Sequence, residues 1–484
     1  MSHADFDTVI GLEVHAQLST HSKMFCGCPT AFGAEPNTQT CPVCQGMPGT
    51  LPVINRRAVE YGITTALALG CEVNRLNRFA RKHYYYPDMP KNYQISQYEE
   101  PLAVRGRLEI EVGGVARAIG IERLHLEEDV GKLVHEGTLD TATSSAVDFN
   151  RAGTPLMEIV SRPDITSPEE AAAYLRALRA ILIYLRVCDG NMEEGSLRCD
   201  ANVSLRVRGA RELGTKVEIK NLNSFRHVQH ALEYEVVRQG RALTSGERIV
   251  QETRLWDPDR GVTVSMRSKE YAHDYRYFPE PDLPPLDVQA GWVDEIRRTL
   301  PELPAARRHR LAEAYGLSTQ EAALLTQGRG LADYFETAAR GYDKPKIVAN
   351  WVLNELLREV AGDDDAAVAA CPIPPEHLRD LLRLIDDQTI SGKIAKDVFE
   401  KMYRSGESAR AIVEREGLTQ VDDTAALDVV VTSTMAKHPK VVEDYRTGKK
   451  AALGFLVGQV MKSTGGRANP ALVNRLLVEK LPTA

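Results

Sequence analysis

The sequence contains no run of 18 uncharged apolar residues, so no segment reads as a membrane-spanning helix. It has no G-x-x-x-x-G-K-[ST] loop, because Gly131-Lys132, Gly392-Lys393 and Gly448-Lys449 all lack the following hydroxyl residue. Any nucleotide is therefore not held by a Walker loop. A G-x-S-x-G elbow, a dinucleotide fingerprint and a cysteine-nucleophile signature are also missing, which argues against a chain that hydrolyses an amide itself. There is no excess of positive charge. The net charge is −7 and the pI near 6.0, where a simple nucleic-acid coat protein would be basic. A local basic surface stays open, because fields are screened beyond about 10 Å. Internal repeats and low-complexity tracts are absent. The start of the chain is polar, with Asp5 and Asp7, and patterned sequence begins at Val9-Ile10-Gly11. No signal or transit peptide is expected, and the expected compartment is the cytoplasm.

What is present fits about three domains in 484 residues. Up to residue 290 the texture is alternating and turn-punctuated. Leu108–Val112 and Val115–Ile121 flank Gly113-Gly114, a hairpin signal. Ser204–Arg208 and Lys216–Lys220 repeat it around Gly209 and Gly214, which favours an antiparallel sheet. Pro168–Val187 interrupts as a helix, with Ser167 as N-cap and Glu170 completing a capping box. Pro279, Pro281, Pro284 and Pro285 mark a boundary or an extended connector. Helical patterns then follow, among them Trp292–Leu300, Leu303–Tyr315 and Lys346–Val360. The expected fold class is α+β: an antiparallel-sheet-rich domain over 1–290, an all-α domain over 291–407 and a small helical tail over 408–484. From Thr432 onward nine bases face three acids. That asymmetry reads either as a polyanion contact or as a solvated helical face.

Three sets of residues carry chemistry. Cys26, Cys28, Cys41 and Cys44 form two short-spaced pairs around a loop, with Pro42 and Gly46 suited to a tight knuckle. Four thiolates can close a tetrahedral zinc site, which would be structural because no position stays open; the alternative is unmetallated cysteine. Acids form the second set: Glu13 beside His15, Glu127-Glu128-Asp129, Glu158 among apolar neighbours, and Glu193-Glu194 ahead of Asp200. Singly each reads as an ion-paired or capping group. Together they offer the oxygen-rich, one-imidazole donor set that suits magnesium or manganese. The third set is Arg81-Lys82-His83-Tyr84-Tyr85-Tyr86, continuing to Lys91 and Tyr93. It reads either as a phosphate and base grip or as a core strand with solvated flanks.

Blocks along the whole chain carry a resemblance. They include Val9–His15, Arg81–Asp88, Tyr93–Gln97, Leu124–Asp129, Gly153–Glu158, Met192–Asp200, Lys220–Ser224, Asp274–Asp282 and Gly454–Gln459. In these the sequence closely resembles the GatB/GatE family, the B subunits of aspartyl/glutamyl-tRNA amidotransferases. The resemblance implies a cradle-shaped α+β domain that phosphorylates and amidates, a helical domain and a tRNA-binding tail. It implies ATP, Mg2+ and structural Zn2+ as cofactors. It also implies a glutamine-hydrolysing A subunit, a small clasping C subunit and tRNA(Gln) or tRNA(Asn) as partners, with a non-discriminating aminoacyl-tRNA synthetase as a further candidate. By motif, His15, Glu128 and Glu158 resemble the principal magnesium ligands. Glu13 and Asp200 resemble ligands of a second or regulatory metal and, with Lys82 near the transferred phosphoryl group, join the catalytic set. Some family members lack the four cysteines, so zinc belongs to a subset. The rival readings are a non-catalytic zinc-containing tRNA-binding scaffold and a free-standing ATP-dependent ligase.

Overall fold

The structure is a computed structural model that describes residues 6–135, 144–268, 275–360, 365–420 and 424–481. Asp5 and Asp274 lie outside these. The chain divides into two compact units, Met1–Leu303 and Pro304–Ala484.

In the first unit the strands among the described residues are β1 (Phe6–Gln17), β2 (Glu72–Val73), β3 (Leu76–Asn77), β4 (Ala80–His83), β5 (Tyr93–Ser96), β6 (Ala103–Val112), β7 (Val115–Glu128) and β8 (Lys132–His135). They continue as β9 (Ser145–Asp148), β10 (Pro155–Ser161), β11 (Leu197–Val207), β12 (Val217–Lys220), β13 (Glu252–Asp257), β14 (Val262–Ser268), β15 (Phe278–Pro279) and β16 (Leu286–Asp287). Nine of them form one sheet in the order β14-β13-β12-β11-β1-β10-β7-β6-β2. Every neighbour pair is antiparallel except β12 and β13. The fold class is therefore α+β. The expected hairpin closes at Val112 opposite Val115. The pair around Gly209 and Gly214 joins β11 to β12, and Gly214 comes so close to Leu205 that a Cβ would meet its carbonyl oxygen at 2.0 Å.

Among the described residues four α-helices, α1 (Arg56–Ala68), α2 (Pro168–Tyr184), α3 (Phe225–Thr244) and α4 (Ala290–Thr299), belong to this unit. Side chains alternate along a strand. Leu12, Val14 and Ala16 of β1, Ile159 of β10 and Leu124 and Leu126 of β7 are buried in one apolar core with residues of α1, α2 and α3. Burying each such leucine or isoleucine contributes about 1.5–3 kcal/mol relative to leaving it exposed. The opposite parity of the same strands carries the polar residues described below. Ser167 caps α2 as expected, its hydroxyl accepting from Glu170 N. The reciprocal half of the box differs, because the Glu170 carboxylate accepts from the N–H and hydroxyl of Thr166. The first unit runs to Leu303, and α4 packs on α1 and brings Trp292 and Ile296 to the core.

Among the described residues the second unit holds helices and no strand. One core gathers residues from Leu311 to Val413 and includes residues of the helix Ala409–Glu416. A smaller core runs from Leu427 to Leu481 on helices Thr424–Lys437, Pro439–Arg446, Ala451–Ser463 and Pro470–Lys480. The expected helix over Lys346–Val360 contains a π stretch at Val352–Leu356, and this buries Glu355 within reach of Lys396 at 2.5 Å. No helix among the described residues is long and apolar enough to cross a membrane.

Candidate metal centres

Strand register builds the first centre. His15 on β1 lies opposite Glu158 on β10, and Glu158 lies opposite His125 on β7. On the other side His15 lies opposite Arg198 of β11. One polar row thus crosses four strands. His125 and Glu127 share a face of β7 because they are two residues apart. Glu158 Oε2 is 3.4 Å from Nε2 of both His15 and His125. Glu127 lies 4.0 Å from His15 and 3.7 Å from His125. His125, Glu127 and Glu158 are buried. One donor atom from each of His15, Glu127 and Glu158 falls within 4.8 Å of the others.

Burial works against charge on these groups, but the groups offset it in one another. Glu158, beside His125 and His15, is held well below the usual carboxylate range. His125, beside Glu158 and Glu127, is pushed up to about 9, and His15 is raised for the same reason. His125 Nδ1 is buried without a hydrogen-bond partner among the described residues. Two carboxylates and an imidazole at this spacing suit an octahedral oxygen-favouring cation such as Mg2+ or Mn2+.

The expected ligand Glu128 is not brought to this cluster; Glu127 occupies that place. The reason is strand parity. Glu128 points to the other face, where it pairs with Lys91 and accepts from Ile95 N at 2.9 Å. Glu127 instead accepts from Ser96 Oγ at 3.0 Å and keeps its second oxygen toward His15. Glu13 and Asp200 are direct neighbours on β1 and β11, one step along the sheet from His15. Both have partners: Asn202 donates to Glu13 at 2.9 Å and Lys220 to Asp200 at 2.9 Å. Lys82 on β4 sits over the Tyr275 ring at 4.9 Å. Burial opposes its charge, but Tyr277, Glu127 and Glu158 more than compensate and raise its pKa. The structure thus gathers His15, Glu158, Lys82, Glu13 and Asp200 on one side of the sheet and leaves out Glu128.

His125 and Arg198 stood outside the expected site, and Glu127 stood in the acid set without being preferred to Glu128. His125 and Glu127 follow from period two in Leu124-His125-Leu126-Glu127, where the leucines take the core face. Arg198 forms a two-pronged pair with Asp129 at 3.0 and 2.9 Å, and only register could have revealed it.

The second centre is local. The sulfurs of Cys26, Cys28, Cys41 and Cys44 lie within 4.8 Å of one another. Cys41 N–H donates to Cys44 Sγ at 3.2 Å, and Gln45 and Gly46 close the knuckle on the carbonyls of Cys41 and Val43. Gly46 has φ +67, and a Cβ there would strike Lys91 at 2.2 Å, so glycine is required. Cys44 is held down to about 4, first by the Cys26 thiol and further by Lys23, while burial raises Cys28 to about 11. Four sulfurs in this arrangement can hold a metal, and the donor chemistry suits zinc.

Comparison with known proteins supplies the context. Residues 8–294 match the GatB/GatE catalytic domain and residues 333–481 the GatB domain. The chain belongs to the GatB/GatE family. The B subunit of the aspartyl/glutamyl-tRNA(Asn/Gln) amidotransferase of Carboxydothermus hydrogenoformans is 58% identical over 479 residues, covering 99% of each chain. The namesake from Moorella thermoacetica is 58% identical over 478 residues, covering 99% of this chain and all of its own. That from Nitratidesulfovibrio vulgaris is 54% identical over 478 residues, with the same coverage. Within this GatB/GatE chain both centres fall in the part matched by the catalytic domain.

Proposed function

We propose that the chain is the B subunit of a tRNA-dependent amidotransferase, a carbon–nitrogen ligase that uses glutamine as amido donor. It acts with a glutaminase and a small clasping protein, the A and C subunits, on glutamyl-tRNA(Gln), aspartyl-tRNA(Asn) or both. Its own step uses ATP to phosphorylate the side-chain carboxylate of the mischarged residue. Ammonia from the glutaminase then attacks the acyl carbon, phosphate leaves and the amide remains.

The chemistry requires this order. A free carboxylate resists ammonia because oxide is a hopeless leaving group, whereas phosphate leaves readily. The protein's part is positioning and charge neutralisation. The observation that carries the reading is the convergence of His15, Glu127 and Glu158 on one buried point. The imidazoles of His15 and His125 and the Lys82 ammonium offset part of the acids' charge, and a bridging cation would add to this where an anionic substrate must sit. His15, Glu127 and Glu158 would hold Mg2+, which when bound neutralises charge on phosphoryl oxygens. Lys82 brings a further cation beside them, facing the transferred group. Glu13 and Asp200 line the adjoining position of a second, regulatory cation. Arg198 fixes Asp129 at the edge of the same row. Cys26, Cys28, Cys41 and Cys44 would hold a structural Zn2+. In the tail, Lys437, Lys440, Lys449 and Lys450 are exposed and suit backbone contacts to tRNA, which position without reading sequence. The domain assignment on this reading is 1–290 for catalysis, 291–407 for the helical domain and 408–484 for tRNA.

The test is ATP consumption by the complex with its partner subunits. Turnover should require glutamyl- or aspartyl-tRNA. A scaffold without catalytic function would leave ATP intact under every condition, and that result would end the reading.

A further inference from the structure

Lys23 stands between the thiolate loop and the segment 149–153 that leads into the strand bearing Glu158. Its side chain is fully buried. Among the described residues its polar partners are Cys44 Sγ at 3.5 Å and the Phe149 carbonyl at 3.3 Å, and no carboxylate pairs with it. An ammonium taken out of water without a counter-charge is strongly unfavourable. Four thiolates around one divalent ion carry more negative charge than the ion offsets. Cys44 is the buried member of the four, where that excess is least screened. The ammonium is therefore placed where it can cancel part of it.

The backbone around Lys23 reaches both sides. Lys23 N–H donates to Cys28 O at 2.9 Å, and Met24 N–H to Gly153 O at 2.7 Å. Gly153 has φ +87, and a Cβ there would lie 3.4 Å from both Cys44 Cβ and Lys23 Cδ. Gly153 N–H donates to Asp129 O, and Asp129 N–H to Thr154 O, each at 2.8 Å. Pro155 then begins β10, which carries Glu158.

We propose that Lys23 is a positioning residue that couples the thiolate centre to the oxygen-rich one. Its ammonium compensates thiolate charge, while its stem and backbone fix residues 149–155 against the knuckle. The proposal rests on the reading that the four cysteines hold zinc.

The test uses the full chain in complex with its partner subunits. Lys23→Met keeps most of the length and removes the charge. Zinc release to a colorimetric chelator should become about 10–100-fold faster, the usual scale for a group supporting metal ligands. Lys23→Arg, which keeps the charge, should release zinc more slowly than Lys23→Met. Manganese binding at the oxygen centre, read by electron paramagnetic resonance, should weaken in Lys23→Met. A measurement on the wild-type complex guards against a variant that does not fold: stripping zinc should speed amide exchange across 149–155. Zinc release from Lys23→Met at the wild-type rate would overturn the proposal, as would unchanged exchange across 149–155. A wild-type complex that carries no zinc would overturn the zinc reading itself, and this proposal with it.

Discussion

The two centres are built by opposite means. The four cysteines lie within one loop between Cys26 and Cys44, and their geometry is set by a local knuckle. The oxygen-rich centre takes His15, Glu127 and Glu158 from three neighbouring strands, β1, β7 and β10, that are far apart in sequence. A loop site depends on spacing, so counting residues is enough to find it. A sheet site depends on register and parity, so a shift of one residue moves a ligand to the other face. The loop centre should therefore tolerate changes in the sheet, and the sheet centre should fail from single substitutions on any of three strands.

The largest expected effect breaks the sheet centre alone. Glu158→Ala or Glu127→Ala should lower tRNA-dependent ATP turnover by about 10²–10³-fold, the scale for removing one group that stabilises transition-state charge. Zinc content, measured on the same preparations, should stay at the wild-type level. Loss of zinc from Glu158→Ala would collapse the distinction between the centres.

Next comes the support of the row. Arg198→Met leaves the Asp129 carboxylate buried, with Arg151 Nε at 3.8 Å, Gln17 and the Val130 N–H at 2.9 Å as its remaining partners. The expected loss is about 2–3 kcal/mol in denaturant unfolding of the complex, toward the low end for a broken buried pair because Arg198 is partly exposed. An unchanged midpoint would mean that Asp129 is satisfied without Arg198. A smaller functional effect is expected from the loop. Cys41→Ser with Cys44→Ser should remove zinc while lowering manganese affinity at the sheet centre by about tenfold. Retained zinc would remove the knuckle from the account.

Much of this was legible in the amino-acid sequence alone. The alternation through Leu108–Ile121 fixed a hairpin and Ser167 a helix start, because both signals are local. The cysteine loop was legible for the same reason. Convergence of His15 with Glu158 came from family resemblance, since nothing in either segment alone specifies that β1 pairs with β10. What sequence reading did not resolve is which of two adjacent acids faces the cluster. Glu127 and Glu128 are chemically alike, and the strand's parity is decided by Leu124 and Leu126 packing into the core. The placing of α4 is of the same kind: whether it belongs with the sheet depends on its packing against α1, which periodicity does not contain.

The adjacent acids provide the smallest and sharpest test. Glu128→Gln keeps the shape of the side chain and an oxygen for Ile95 N–H, but removes the charge that pairs with buried Lys91. A buried ammonium losing its partner should destabilise the fold. If parity assigns the ligands, manganese affinity at the oxygen centre should nonetheless match wild type, because Glu127 supplies the oxygen there. Glu127→Gln should do the reverse, weakening manganese binding while leaving the Lys91 pair intact. The two variants differ by one position in sequence but act on opposite faces of the strand. Equal loss of manganese binding in both would show that the strand presents both acids to one ion, which alternation along a regular strand does not permit.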